Sequence, residues 1–103
     1  MLDAALEATS FVEGQTREAF DEDRQLALSL VKLIEIIGEA ATKVGAATRA
    51  DAPEIPWADI TGMRHRLIHA YYEIDFDLVW HTVVDNLPPL ISALERMLPS
   101  PEE

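Results

Sequence analysis

Leu26-Ala27-Leu28-Ser29-Leu30-Val31-Lys32-Leu33-Ile34-Glu35-Ile36-Ile37-Gly38-Glu39-Ala40-Ala41-Thr42-Lys43-Val44 is the stretch that decides the fold. Its apolar side chains Leu26, Leu30, Leu33, Ile34, Ile37, Ala41 and Val44 recur at steps of three and four, which lines one face of an α-helix. Glu39 and Lys43 add a favourable pair one turn apart. Asp21 or Asp23 can cap the start, and Gly45 with the small residues after it can end the helix, so the spacing predicts a helix over roughly 23–45. Gly38 costs about 1 kcal/mol relative to alanine inside a helix, which points to another helix packed closely against it.

Working outward, Leu2, Leu6, Thr9 and Val12 mark an earlier helix that stops near Gly14, and Thr16 can cap a short turn through Phe20. Downstream, Ala46 to Pro56 carries two prolines and reads as a loop. The last segment is the most regular, with Phe76, Trp80, Val83, Leu87, Leu90, Leu94 and Met97 forming a heptad-like seam for another helix, in this chain or in a second copy. Asp75 stands at the N-cap position and Asp77 suits the positive end of the helix dipole. Pro88 and Pro89 interrupt the seam, and because proline is tolerated in a first turn, Asn86 is read as the cap of a second segment. The expectation is an all-α chain, one domain over residues 1–103, folded as an up-and-down bundle of four to five helices with a kinked C-terminal helix.

Composition bounds the function. A chain of 103 residues can bury a core without disulfides or a structural metal, and with no cysteine it has no thiolate metal site and no thiol nucleophile. A hydrophobic share of 49% is that of a globular protein despite a net charge of −11. Acids among the first seven residues, without a basic region, do not make a secretory signal, and no apolar run reaches the ~18 residues that a membrane span needs. The expectation is a soluble, cytoplasmic protein with no membrane partner. The acidic balance argues against broad DNA binding, since a generic phosphate binder gathers Lys and Arg into a stripe.

One segment reverses that sign locally. Met63-Arg64-His65-Arg66-Leu67-Ile68-His69-Ala70-Tyr71-Tyr72-Glu73 gathers two of the eight basic side chains and two of the three histidines into six positions. Arginine offers a planar fork to phosphate oxygens, and histidine titrates near neutrality and can carry a proton. Together they suit RNA cleavage without a metal or other cofactor: a base takes the 2′-hydroxyl proton, the oxygen attacks the adjacent phosphorus, and a fixed cation stabilises the charge that accumulates. On an ideal helix His69 lies about 140° around from Arg64. Either the helix is distorted at His69 or two chains complete the site across a two-fold interface.

Arg64-x4-His69-x-Tyr71 resembles the R-x4-6-H motif of the HEPN superfamily, in the R-x4-H-x-Y form typical of HepT-like toxins. The blocks Leu33-Ile34-Glu35-Ile36-Ile37-Gly38-Glu39-Ala40-Ala41, Pro53-Glu54-Ile55-Pro56-Trp57, Arg66-Leu67-Ile68-His69, Asp75-Phe76-Asp77-Leu78-Val79-Trp80 and Leu87-Pro88-Pro89-Leu90 are similar to that family in order and spacing. His65 stands where the family commonly has asparagine. The resemblance implies a HEPN-like helical bundle acting as a metal-independent endoribonuclease toxin and forming a homodimer with a composite active site. It also implies, as partner, an MNT-type nucleotidyltransferase antitoxin able to transfer AMP to Tyr71. On that reading Arg64 and His69 are catalytic, with Arg64 on the phosphate and His69 moving the proton. His65 and Arg66 contact phosphate or support the site, and Tyr71 is the AMP acceptor.

Two rivals share the residues. His65, His69 and Glu73 would fall on one face of a continuous helix at usable metal-ligand spacing, although a single helix supplies them all. The bundle could also be a catalytically inactive binding module for a nucleotidyltransferase, since fold resemblance does not establish turnover.

Overall fold

The computed structural model describes residues 1–69 and 73–97. The chain is all-α, as its periodicity predicts. Its helices are α1 (Leu2–Val12), α2 (Arg17–Asp21), α3 (Arg24–Thr42), α4 (Ala46–Asp51), α5 (Trp57–Gly62), α6 (Arg64–Leu67), α7 (Phe76–His81) and α8 (Leu87–Met97). A π-helical turn, Thr82–Asn86, joins α7 to α8, and a two-residue antiparallel ladder pairs β1 (Ile68–His69) with β2 (Glu73–Ile74). No helix among the described residues is long and apolar enough to cross a membrane.

The central rod is α3. The Asp23 carboxylate accepts from Leu26 N–H at 2.9 Å and caps it, satisfying a donor that the first turn leaves open. Its buried row, Leu30, Val31, Leu33, Ile34, Ile37, Gly38 and Ala41, follows the predicted stripe, with Leu26 and Val44 partly buried at the two ends. Helix α1 lies on α3 with only part of the expected row turned inward, Leu2 and Val12 being partly buried against the core. Ala4, Ala5 and Ala8 are buried while Leu6 is 43% exposed, so small side chains bring the two backbones close. Gly14, at φ 74°, takes the left-handed conformation after α1, where glycine carries no Cβ penalty. Thr16 then caps α2, accepting from Ala19 N–H at 3.1 Å.

Phe20, fully buried, joins α2 to the C-terminal rod by packing against Phe76 and Trp80, with ring centroids 5.3 Å and 5.2 Å away. Asp75 caps α7 through Leu78 N–H at 2.9 Å. Asp77, in the first turn of α7 as the dipole reading has it, also accepts from Arg17 at 2.9 Å. Arg17 bridges Asp21 and Asp77, and hydrogen bonds to both carboxylates raise its pKa above the usual guanidinium value.

Two expectations are corrected. The stretch after Gly45 is not all loop: α4 forms there, because Arg49 donates to the Ala41 and Val44 carbonyls at 2.7 and 3.0 Å and lies over the Trp57 ring. The Ala41 carbonyl near the end of α3 also accepts from Val44 N–H at 3.2 Å, so the arginine adds a second donor there and ties α4 back to α3. The second concerns Asn86, which does not cap a new helix. The helical path runs unbroken from Phe76 to Met97, and Leu87 N–H bonds to Thr82 carbonyl, five residues back. Pro88 and Pro89 supply no N–H, so the turn before them widens instead of breaking. The seam is filled within the chain, where α8 and the π turn pack on α1.

Candidate active site

The motif segment is anchored at both ends by buried side chains. At its start Trp57 is buried and its indole N–H donates to the Ala52 carbonyl at 3.1 Å. A Cβ added at Gly38 would come within 3.1 Å of the Ile60 carbonyl oxygen, so the absence of a side chain lets α5 settle directly on α3. This is the close packing that a mid-helix glycine foretold. At the other end Leu67 is fully buried, and Asp75 N–H donates to its carbonyl at 2.7 Å. Met63, with α-helical dihedral angles, separates α5 from α6 by a single residue.

Arg64 opens α6, and His65 and Arg66 follow on its exposed surface. Arg66 is not simply solvated, because its guanidinium donates to the Asp59 carbonyl at 3.2 Å and ties α6 back to α5. His69 is not on the helix: α6 ends at Leu67, and residue 69 lies in extended backbone paired with Glu73. The 140° angle of an ideal helix therefore does not separate Arg64 from His69. For the same reason His65, His69 and Glu73 do not share a helical face, so the metal-ligand spacing proposed for them is not realised. No group of three metal-ligating side chains occurs among the described residues. Tyr71 lies outside the described residues.

Sequence reading missed a groove beside the segment. About 570 Å³ of space opens between α3, α5, the π turn and α8, with apolar walls that include Ile34, Ile60, Met63 and Leu87. Polar side chains of Asp59, Arg66, Asn86 and Arg96 also line it. These residues are scattered over the chain, so no local pattern marks the groove.

A family model for HepT-like ribonucleases matches residues 1–97, spanning both the core helices and the whole motif. The chain belongs to the HepT-like ribonuclease family. Among curated relatives, it is 34% identical over 100 residues to "Probable ribonuclease HepT" of Thermococcus cleftensis, covering 93% of this chain and 91% of the relative. It is 33% identical over 87 residues to a protein named "Putative RNase" from Caldanaerobacter subterraneus subsp. tengcongensis, covering 84% and 78%. No solved structure gave a match. Within this HepT-like chain, the aligned span includes the end-anchored motif segment as well as the bundle that carries it.

Proposed function

We propose that the chain is a metal-independent endoribonuclease, working in the cytoplasm as the toxin of a toxin–antitoxin pair. The observation that supports this reading is the placement of Arg64, His65 and Arg66 between the core anchors Trp57 and Leu67, with His69 in the paired strand two residues beyond. A site so anchored can hold an attacking group against a phosphate, because positioning supplies much of the rate in such displacements.

In the proposed reaction His69 accepts the 2′-hydroxyl proton, the 2′-oxygen bonds to phosphorus, and the bond to the 5′-oxygen breaks. That oxygen leaves with a proton taken from solvent, giving a 2′,3′-cyclic phosphate and a 5′-hydroxyl. Arg64 stabilises the charge that gathers on the non-bridging oxygens, and His65 and Arg66 assist in holding the chain. A second copy of the chain completes the site in a homodimer. The antitoxin, an MNT-type nucleotidyltransferase, silences the enzyme by transferring AMP from ATP to the Tyr71 hydroxyl, whose oxygen bonds to the α-phosphorus as pyrophosphate leaves and its proton passes to solvent, which places negative charge where the RNA phosphate would sit.

Purified protein incubated with total RNA tests the reading. Cleavage should persist in EDTA and vanish for Arg64→Ala and His69→Ala at unchanged helix content, while loss in EDTA would overturn metal independence. With the nucleotidyltransferase and ATP, AMP should be added to the wild type and not to Tyr71→Phe. No cleavage by protein shown by mass to be unmodified would leave a binding module in place of the enzyme.

A further inference from the structure

We infer that the groove beside the motif segment seats one unstacked, amino-bearing nucleobase of a single-stranded RNA, next to the phosphate held at the motif. The inference rests on the ribonuclease reading for its ligand class and on the groove for its detail. At about 570 Å³, the space falls within the range of concave sites that enclose small organic groups. A nucleobase has apolar faces and a polar edge, and the groove has the matching division. Ile60, Met63, Leu78 and Leu87 offer apolar walls, while hydrogen-bonding groups of both kinds line the same space.

Asn86 is the reader. It is exposed, lines the groove, and belongs to the π turn, the local distortion that recurs at functional sites in helices. An amide presents one acceptor and two donors, which lets it pair with an exocyclic amine and an adjacent ring nitrogen together. The carboxylates of Glu54 and Asp59 also line the groove and can only accept when ionised. They favour an amine and disfavour the carbonyl-rich edge of uracil, so selection works by exclusion as well as attraction. Arg66 and Arg96 supply cations for the flanking phosphates within a chain of net charge −11. Arg66 belongs also to the motif helix, which makes base seat and scissile phosphate neighbours.

A second copy of the chain fits the groove less well. A two-fold contact faces a patch with itself, so it needs an apolar knob beside the hollow. Among the described residues, the large exposed apolar side chains, Leu6, Phe11, Leu28, Ile36 and Val84, do not line this groove, whereas charged and amide groups do.

The test measures binding of 2′-fluoro oligoadenylate, oligocytidylate and oligouridylate, which cannot be cleaved through the 2′ position, together with cleavage of the matching RNAs. The wild type should bind the first two about tenfold more tightly than the third, on the scale of one good bidentate contact. Asn86→Ala should erase that ratio, and Asn86→Trp, at the same exposed position, should weaken all three by filling the groove, with helix content unchanged. An unaltered ratio in Asn86→Ala overturns the inference. So does sedimentation showing that Asn86→Trp separates a dimer, since the groove would then face a second copy. Cleavage of all three RNAs without base preference sinks the base seat alone. Selective binding without any cleavage supports the seat and sinks the ribonuclease.

Discussion

The C-terminal rod and the motif segment are both helical paths with one irregular step, yet they use burial in opposite ways. From Phe76 to Met97 burial is distributed: Val79, Thr82, Val83, Leu87, Leu90, Ala93 and Leu94 are all inside, and the π turn sits within that row. From Trp57 to Leu67, among the side chains described, only the two end residues are buried. Distributed burial makes a rod whose every turn resists change. End anchoring gives a segment of fixed position whose middle stays available to a ligand, and polar residues can occupy it without desolvation cost.

The largest test of that contrast is chemical. Arg64→Ala or His69→Ala should reduce RNA cleavage by about a hundredfold to ten-thousandfold while the thermal midpoint barely moves, the range in which loss of proton transfer or phosphate stabilisation falls. A parallel fall in melting temperature would show that the segment contributes to the core after all. Next comes Phe20→Ala, which removes the fully buried ring between Phe76 and Trp80. It should cost about 3–5 kcal/mol in urea unfolding, as large aromatic deletions do.

Gly38→Val bridges the two regions. With the Ile60 carbonyl 3.1 Å from where even a Cβ would stand, a branched side chain should overpack the contact by about 1–3 kcal/mol. It should also lower cleavage more than Phe20→Ala does under conditions where both variants are folded, because it displaces the segment itself. Asp75→Ala should cost about 1 kcal/mol through loss of the α7 cap. Arg17→Ala should change stability by no more than about 1 kcal/mol, since its ion pairs with Asp21 and Asp77 are largely solvent-exposed.

What could be read in the sequence was what local rules govern. The α3 stripe, the caps at Thr16, Asp23 and Asp75, and the close packing at Gly38 each follow from a few neighbouring residues. The misreadings all involve partners distant along the chain or choices between local solutions. Helix α4 was hidden because its support is Arg49 reaching back to the end of α3. The alanines of α1 were passed over because leucines outrank alanines in any hydrophobic count, although alanines allow the closer approach. A paired proline is compatible with either a fresh cap or a widened turn, and Asn86 drew attention to the first. Helix α6 ends at Leu67 with neither glycine nor proline to announce it, since pairing with Glu73 and Ile74 decides the path of Ile68 and His69. The motif residues were legible as a pattern, and the groove beside them was not, because its walls meet only in three dimensions.

The contact at Gly38 has a consequence for how the enzyme can vary. What stands against that glycine is the main-chain oxygen of residue 60, an atom that every amino acid carries. A larger residue at 38 therefore cannot be compensated by shrinking the side chain at 60, as two opposed core side chains can be exchanged in volume. Suppressors of a Gly38 variant should be sought in changes that let the whole segment shift, at its anchors Trp57 and Leu67, and not at the point of collision.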